Sequence, residues 1–136
     1  MILFLFPTPM KILLTTRIYR NVIMKKIEAI IAEDDLYKVF DSLVKLGVGG
    51  FTYFTARGRG IGERPMVPSG RGGRFKSAYS LSAYVFIIVP DNDVEKIIGV
   101  IASRPVPDAI GEGKIFISDV ADAIDVGTKK HGEASL

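Results

Sequence analysis

The chain has 136 residues, no cysteine, one histidine and a formal net charge of +3. That is the length of one domain able to bury a core unaided, and the lack of thiols excludes disulfides, Cys/His metal centres and thiol nucleophiles, in keeping with a cytoplasmic protein. The charge is uneven: Met1–Ile23 carries +3, Arg57–Lys76 carries +5 and the remainder carries −5, which points to a local anionic contact.

The leader opens on Met-Ile-Leu-Phe-Leu-Phe and Pro7-Thr8-Pro9, and Lys11, Arg17 and Arg20 then break the apolar run. No transmembrane span fits this pattern, and a secretory signal would place its basic residues before the apolar stretch. We expect residues 1–23 to be poorly packed and to derive from a start upstream of the natural one, with Met24 opening the domain. Lys25–Ala32 then reads as a strand buried on both faces. Glu33-Asp34-Asp35 offers N-cap and first-turn carboxylates to a helix whose Leu36, Val39, Phe40, Leu43 and Leu46 recur at helical spacing until Gly47.

Phe51–Ala56 is aromatic and β-branched, which predicts a second strand. Residues 58–77 follow with six glycines, Pro65 and Pro68, and predict a long mobile loop that serves as a binding arm or a tether. Tyr84–Val89 is the most apolar strand, flanked by the softer Ser80–Ala83, and belongs in the middle of a sheet. Asp91-Asn92-Asp93 caps a second helix with Val94, Ile97, Ile98 and Ile101 on its buried stripe, ending near Ser103. Arg104–Ala109 contains two prolines and cannot continue it. Lys114–Val120 is the fourth strand, Ala121–Gly127 a short coda, and residues 129–136 a polar tail in which His131 reads as solvated.

The order β-α-β-β-α-β defines the fold class as α+β, a ferredoxin-like antiparallel sheet with two helices on one face. Because the first and third long strands are apolar on both sides, the face without helices is expected to be covered by another subunit.

The stretch richest in chemistry is Ile110-Gly111-Glu112-Gly113-Lys114-Ile115-Phe116. Two glycines one residue apart allow successive N–H groups to turn inward as an anion nest, and Lys114 adds a point charge beside it. The same glycines equally suit a simple turn before a strand. Here the chain resembles the PII signal-transduction family, the nucleotide-sensing nitrogen regulatory trimers. The resemblance rests on that motif, with Glu112 for the usual aspartate, and on Met24–Ile31, Gly50-Phe51-Thr52 and Val89-Pro90-Asp91. It covers Met24 to Thr128.

The resemblance implies a non-enzymatic regulator: a homotrimer with an adenine nucleotide (ATP, ADP or AMP) in each cleft between subunits, no covalently bound cofactor and no metal. Gly111, Glu112, Gly113 and Lys114 match the phosphate-holding loop. Thr52, Gly60 and Ile88 match positions lining the cleft from the other side, and residues 58–77 match the arm that engages a target enzyme or transporter. Ile61 and Gly62 stand where an arginine and a glutamine usually help to hold 2-oxoglutarate, so the usual contacts of that ligand are missing. Asp125 and Gly127 stand where two arginines usually reach the outer phosphates, and Ser82 where a lysine is usual. We therefore expect ADP or AMP to be preferred to ATP, or the phosphate charge to come from Arg59, Arg64 or Arg74. No tyrosine lies between Tyr53 and Tyr79, which argues against uridylylation of the arm.

An alternative reading takes Arg57-Gly58-Arg59-Gly60 and Arg71-Gly72-Gly73-Arg74 as RNA-contacting segments on an RRM-like sheet. Tyr84–Val89 lacks the glycine and the polar alternation that an RRM needs on its central strand, and no DNA partner is expected. Glu63, Asp119, Asp122 and Asp125 come with no nucleophile or orienting group, which leaves an enzyme without a site.

Overall fold

In a computed structural model, which describes residues 23–103 and 113–136, side chains alternate along the two central strands. β1 (Met24–Ala32) buries Ile27, Ala29 and Ile31 on one face, and β5 (Ser80–Pro90) buries Ala83, Val85, Ile87 and Val89 on the same face. A strand period of two makes this one continuous apolar layer. The remaining elements are α1 (Leu36–Lys45), β2 (Thr52–Gly58), β3 (Met66–Pro68), β4 (Arg74–Lys76), α2 (Val94–Ile101) and β6 (Gly113–Val120). The main sheet is antiparallel with order β2-β5-β1-β6, and β3 and β4 form a separate two-stranded ribbon. The two most apolar strands are central, as their composition requires.

The helices cover one face. Leu36, Val39 and Leu43 of α1 and Val94, Ile97 and Ile101 of α2 pack with the inward residues of β1 and β5 in one core. Gly47 ends α1 at φ +76: its amide donates to the Val44 carbonyl at 3.0 Å, and the Val48 amide donates to the Leu43 carbonyl at 3.2 Å. This paired closure of the last carbonyls is the Schellman arrangement, which favours glycine at the left-handed position.

The acidic triplets act differently from expectation. Glu33–Asp35 and Asp91–Asp93 each form a short 3-10 turn ahead of their helix, with no side-chain capping hydrogen bond. Glu33 instead accepts from the Thr55 hydroxyl at 3.1 Å, and Asp93 pairs with Lys96 at 2.9 Å. Their favourable effect on the helices is thus negative charge just ahead of the first turn, not a cap.

Three other expectations change. Residues 58–77 contain the β3–β4 ribbon, so the expected loop has paired backbone at its centre. The polar tail folds back: Ile124 bridges His131, Gly132–Ser135 form a 3-10 turn, and the Leu136 carbonyl carbon lies 3.8 Å from where a Cβ on Gly49 would stand. His131, expected to be merely solvated, lies with Nδ1 2.8 Å from Asp122, whose other oxygen accepts from the amides of Ala123 and Gly132. The expectations for the leader and for Gly111 and Glu112 fall outside the described residues.

Candidate functional site

The uncovered face of the sheet is set by the even-numbered residues of all four strands. Cross-strand register places Thr52 opposite Phe86, Phe86 opposite Glu28 and Glu28 opposite Phe116, and it places Lys114 opposite Ile30 and Ile88 opposite Lys26. Thr52, Ile88 and Lys114 therefore share this face, away from the helices. The face is only partly apolar, which corrects the expectation of strands apolar on both sides. Lys26 pairs with Glu28 at 2.9 Å and lies 5.4 Å from the centre of the Phe86 ring. Glu28 also accepts from the Tyr84 hydroxyl, and Tyr84 stacks on Phe54 with ring centres 4.7 Å apart. The Tyr84 hydroxyl, and after it the Lys26 ammonium, hold the Glu28 carboxyl below its usual range. Glu28 in turn pushes the Tyr84 phenol up.

Gly113 begins β6 at φ +141, and a Cβ there would stand 2.3 Å from the Ile30 carbonyl oxygen. Only glycine permits β6 to start pairing with β1 at that point. The strand then sends Lys114 onto the open face. On its helix side, the same strand start borders a cleft of about 540 Å³, with Lys38 and Ser42 of α1 and Ser103 beyond α2 in its wall.

The structure brings together some of the expected residues and separates others. Lys114 is on β6 and Thr52 on β2, at opposite edges of the sheet. Three inter-strand spacings and a two-residue offset along the strands put them about 16 Å apart. Lys114 stands in the row of Ile30, Tyr84 and Phe54, and Thr52 in the row of Phe86, Glu28 and Phe116, so the two lie diagonally across the sheet. Gly60 lies two residues past β2, at the root of the arm, in open space. Arg59 and Arg64 are also on the arm. Arg74 is on β4 and donates to the Met66 carbonyl at 3.3 Å, within its own ribbon. Asp125 Oδ1 accepts from the Thr128 amide at 2.6 Å, which lowers the pKa of its carboxyl and commits it to the turn.

Sequence reasoning missed the Glu28–Tyr84–Lys26 cluster and the Asp122–His131 pair. The first was half available from parity: residues 26 and 28 share a face of β1 and 84 and 86 a face of β5, and the register then brings the two pairs together. The second pairs residues across a turn that no local pattern marks. Among the described residues no group of three or more acidic or histidine side chains is placed to hold a metal, and no helix is long and apolar enough to cross a membrane.

A ferredoxin-like sheet with one face packed by helices, the other presented outward, and a long arm between edge strand β2 and central strand β5 defines an α+β domain. The family model for nitrogen regulatory protein P-II matches residues 24–130, and the chain belongs to that family of signal-transduction regulators of nitrogen metabolism. It is 39% identical over 118 residues to the nitrogen regulatory protein P-II of Porphyra purpurea, covering 83% of this chain and all of that one. It is 31% identical over 113 residues to nitrogen regulatory protein P-II 1 of Escherichia coli K12, with 83% and 100% covered. Among solved structures it is similar to Arabidopsis thaliana PII bound to citrate, with a TM-score of 0.65, 27% identity, and 87% of this chain and 96% of that one covered. It shares the fold of Bacillus subtilis GlnK, with a TM-score of 0.63, 22% identity, and 84% and 99% covered.

Proposed function

We propose that this chain is a cytoplasmic PII-type sensor that assembles as a homotrimer and binds an adenine nucleotide in the clefts between subunits. The phosphates rest on Gly111, Glu112, Gly113 and Lys114 of one subunit, and Thr52, Gly60 and Ile88 of the neighbour line the other wall. The observation that carries this reading is the placement of Lys114 and Thr52 on one face but at opposite edges. Two copies set edge to edge bring the halves together, whereas one copy holds them apart across the width of the sheet. Bound nucleotide selects a conformation of residues 58–77, and that arm engages or releases a target enzyme or transporter.

Asp125 anchors its own turn and Gly127 has no side chain, so these two positions offer no cation to an outer phosphate. ADP or AMP is accordingly favoured over ATP, with Arg59 and Arg64 as the mobile cations nearest the root of the arm. Ile61 and Gly62 leave 2-oxoglutarate without its usual partners. Calorimetric titration with ATP, ADP and AMP, each with and without 2-oxoglutarate, tests this. Micromolar binding of ADP or AMP that Lys114→Ala weakens tenfold or more is the expected result, and an absence of nucleotide binding by the folded oligomer contradicts it.

A further inference from the structure

The arm has a polarity of its own, set by strand pairing. In an antiparallel ribbon, directly opposed residues share a face and successive residues alternate. Met66 opposes Lys76 and Pro68 opposes Arg74, while Val67 opposes Phe75. One face therefore carries two cations. The other carries Val67 and Phe75, and Phe75 is 53% exposed.

Both ends of the ribbon are tied. At the tip the Ser69 amide donates to the Gly73 carbonyl at 2.7 Å, the Gly72 amide to the Ser69 carbonyl at 3.2 Å, and the Arg71 amide to Ser69 Oγ at 3.1 Å. At the base the Ser77 amide donates to the Pro65 carbonyl at 2.9 Å, and Ser77 is buried. These ties preorganise the two faces before any partner arrives. Arg74 spends one donor on Met66 and keeps the rest of its guanidinium for another group.

We propose that this ribbon is a two-sided wedge for a partner protein, seated in a slot with one acidic wall against Arg74 and Lys76 and one apolar wall against Val67 and Phe75. The proposal rests on the reading of residues 58–77 as the target-binding arm and specifies what that arm recognises. Charge complementarity supports an acidic partner, since residues 57–76 hold six basic side chains and one acidic one. A single-stranded nucleic acid fits less well. It needs aromatic and cationic side chains on one face, so that a base stacks while its phosphate is held, and the register places Phe75 opposite in direction to Arg74 and Lys76. Because β3 and β4 form a two-stranded sheet, each has an outer edge that a partner strand can join, and an added strand presents alternate residues to the two faces.

Alternation gives a direct test. Two fluorescent octapeptides of the same composition, one alternating glutamate and valine and one with four glutamates followed by four valines, are titrated into the full chain by anisotropy, alongside an octamer of uridylate. The alternating peptide is expected to bind at least tenfold tighter than the block peptide and the oligonucleotide. Phe75→Ala and Lys76→Glu should each weaken it fivefold or more. Equal affinity for both peptides, tighter binding of the oligonucleotide, or no binding of the alternating peptide overturns the wedge. Nucleotide titration of the wild type and of Phe75→Ala separates the two proposals: a chain that binds ADP but neither peptide retains the sensor and loses only the wedge.

Discussion

One sheet presents two faces that obey different rules. Toward the helices, Ile27, Ala29, Ile31, Ala83, Val85, Ile87 and Val89 are all aliphatic and nearly inaccessible, and they close against Leu43 and Ile97. Away from the helices, the intervening residues of the same strands are Lys26, Glu28, Tyr84 and Phe86, joined by an ion pair, a hydrogen bond and ring contacts, with Phe54 and Phe116 about half exposed on either side. The first face holds the domain together through burial alone. The second retains charge and aromatic surface that are only partly used within one chain, and the proposed site draws its residues from it. Stability and recognition are thus separated by strand parity, and substitutions that differ by one position along a strand should have effects of different kinds.

That contrast can be broken at four points, in falling order of effect on folding. Gly113→Ala touches both faces, because its Cβ would meet the Ile30 carbonyl oxygen at 2.3 Å and force β6 away from β1. It should cost about 4 kcal/mol in denaturant unfolding and abolish nucleotide binding together. Leu43→Ala, at a side chain with no exposure, should cost about 3 kcal/mol and leave the nucleotide affinity of the folded fraction unchanged. Phe116→Ala, on the open face, should cost no more than about 1 kcal/mol in unfolding and yet shift the oligomer toward smaller species in analytical ultracentrifugation.

Tyr84→Phe is the mildest and is best seen through pH. Glu28 is held below its ordinary value of 4.5, so its contribution is complete above that value and is lost as the pH falls through the lowered one. Tyr84 is raised above 10.0, so its contribution is complete below that value and is lost as the pH rises through the raised one. The melting-temperature difference between wild type and Tyr84→Phe should therefore be constant from about pH 5 to pH 9 and shrink outside that window. A difference that grows toward pH 3 would contradict the assigned hydrogen bond.

Much of the fold was legible because periodicity reports burial. The runs at 25–32 and 84–89 and the helical stripes at 36–46 and 94–101 identify the sheet's centre and its covering layer from the sequence. Gly113 and Lys114 were legible as a turn and a charge, and the register adds why the glycine is required and which face receives the lysine. The ribbon inside the arm went unread because glycine and proline dominate the segment. Yet Met66-Val67-Pro68 and Arg74-Phe75-Lys76 flanking a Ser-Gly-Arg-Gly-Gly turn are themselves a hairpin pattern. The acidic triplets were legible as helix starts but not as 3-10 turns, since propensity does not say whether a carboxylate bonds the backbone or a neighbouring strand. Asp122 and His131 meet across a hairpin at the chain end, closed by the Ile124–His131 bridge and by the Gly132 amide donating to the Ala123 carbonyl.

The central claim is that each site takes Lys114 from one subunit and Thr52 from the next, and a mixing experiment tests it most directly. Lys114→Ala and Thr52→Val chains are titrated with ADP separately and then after dissociation and reassociation together, with native mass spectrometry verifying mixed oligomers. Each variant alone should bind weakly, and the mixture should regain a fraction of wild-type sites, because some interfaces then pair an intact Lys114 with an intact Thr52. If the mixed oligomers form and bind no better than either parent, the two residues do not serve one site across an interface, and the account fails.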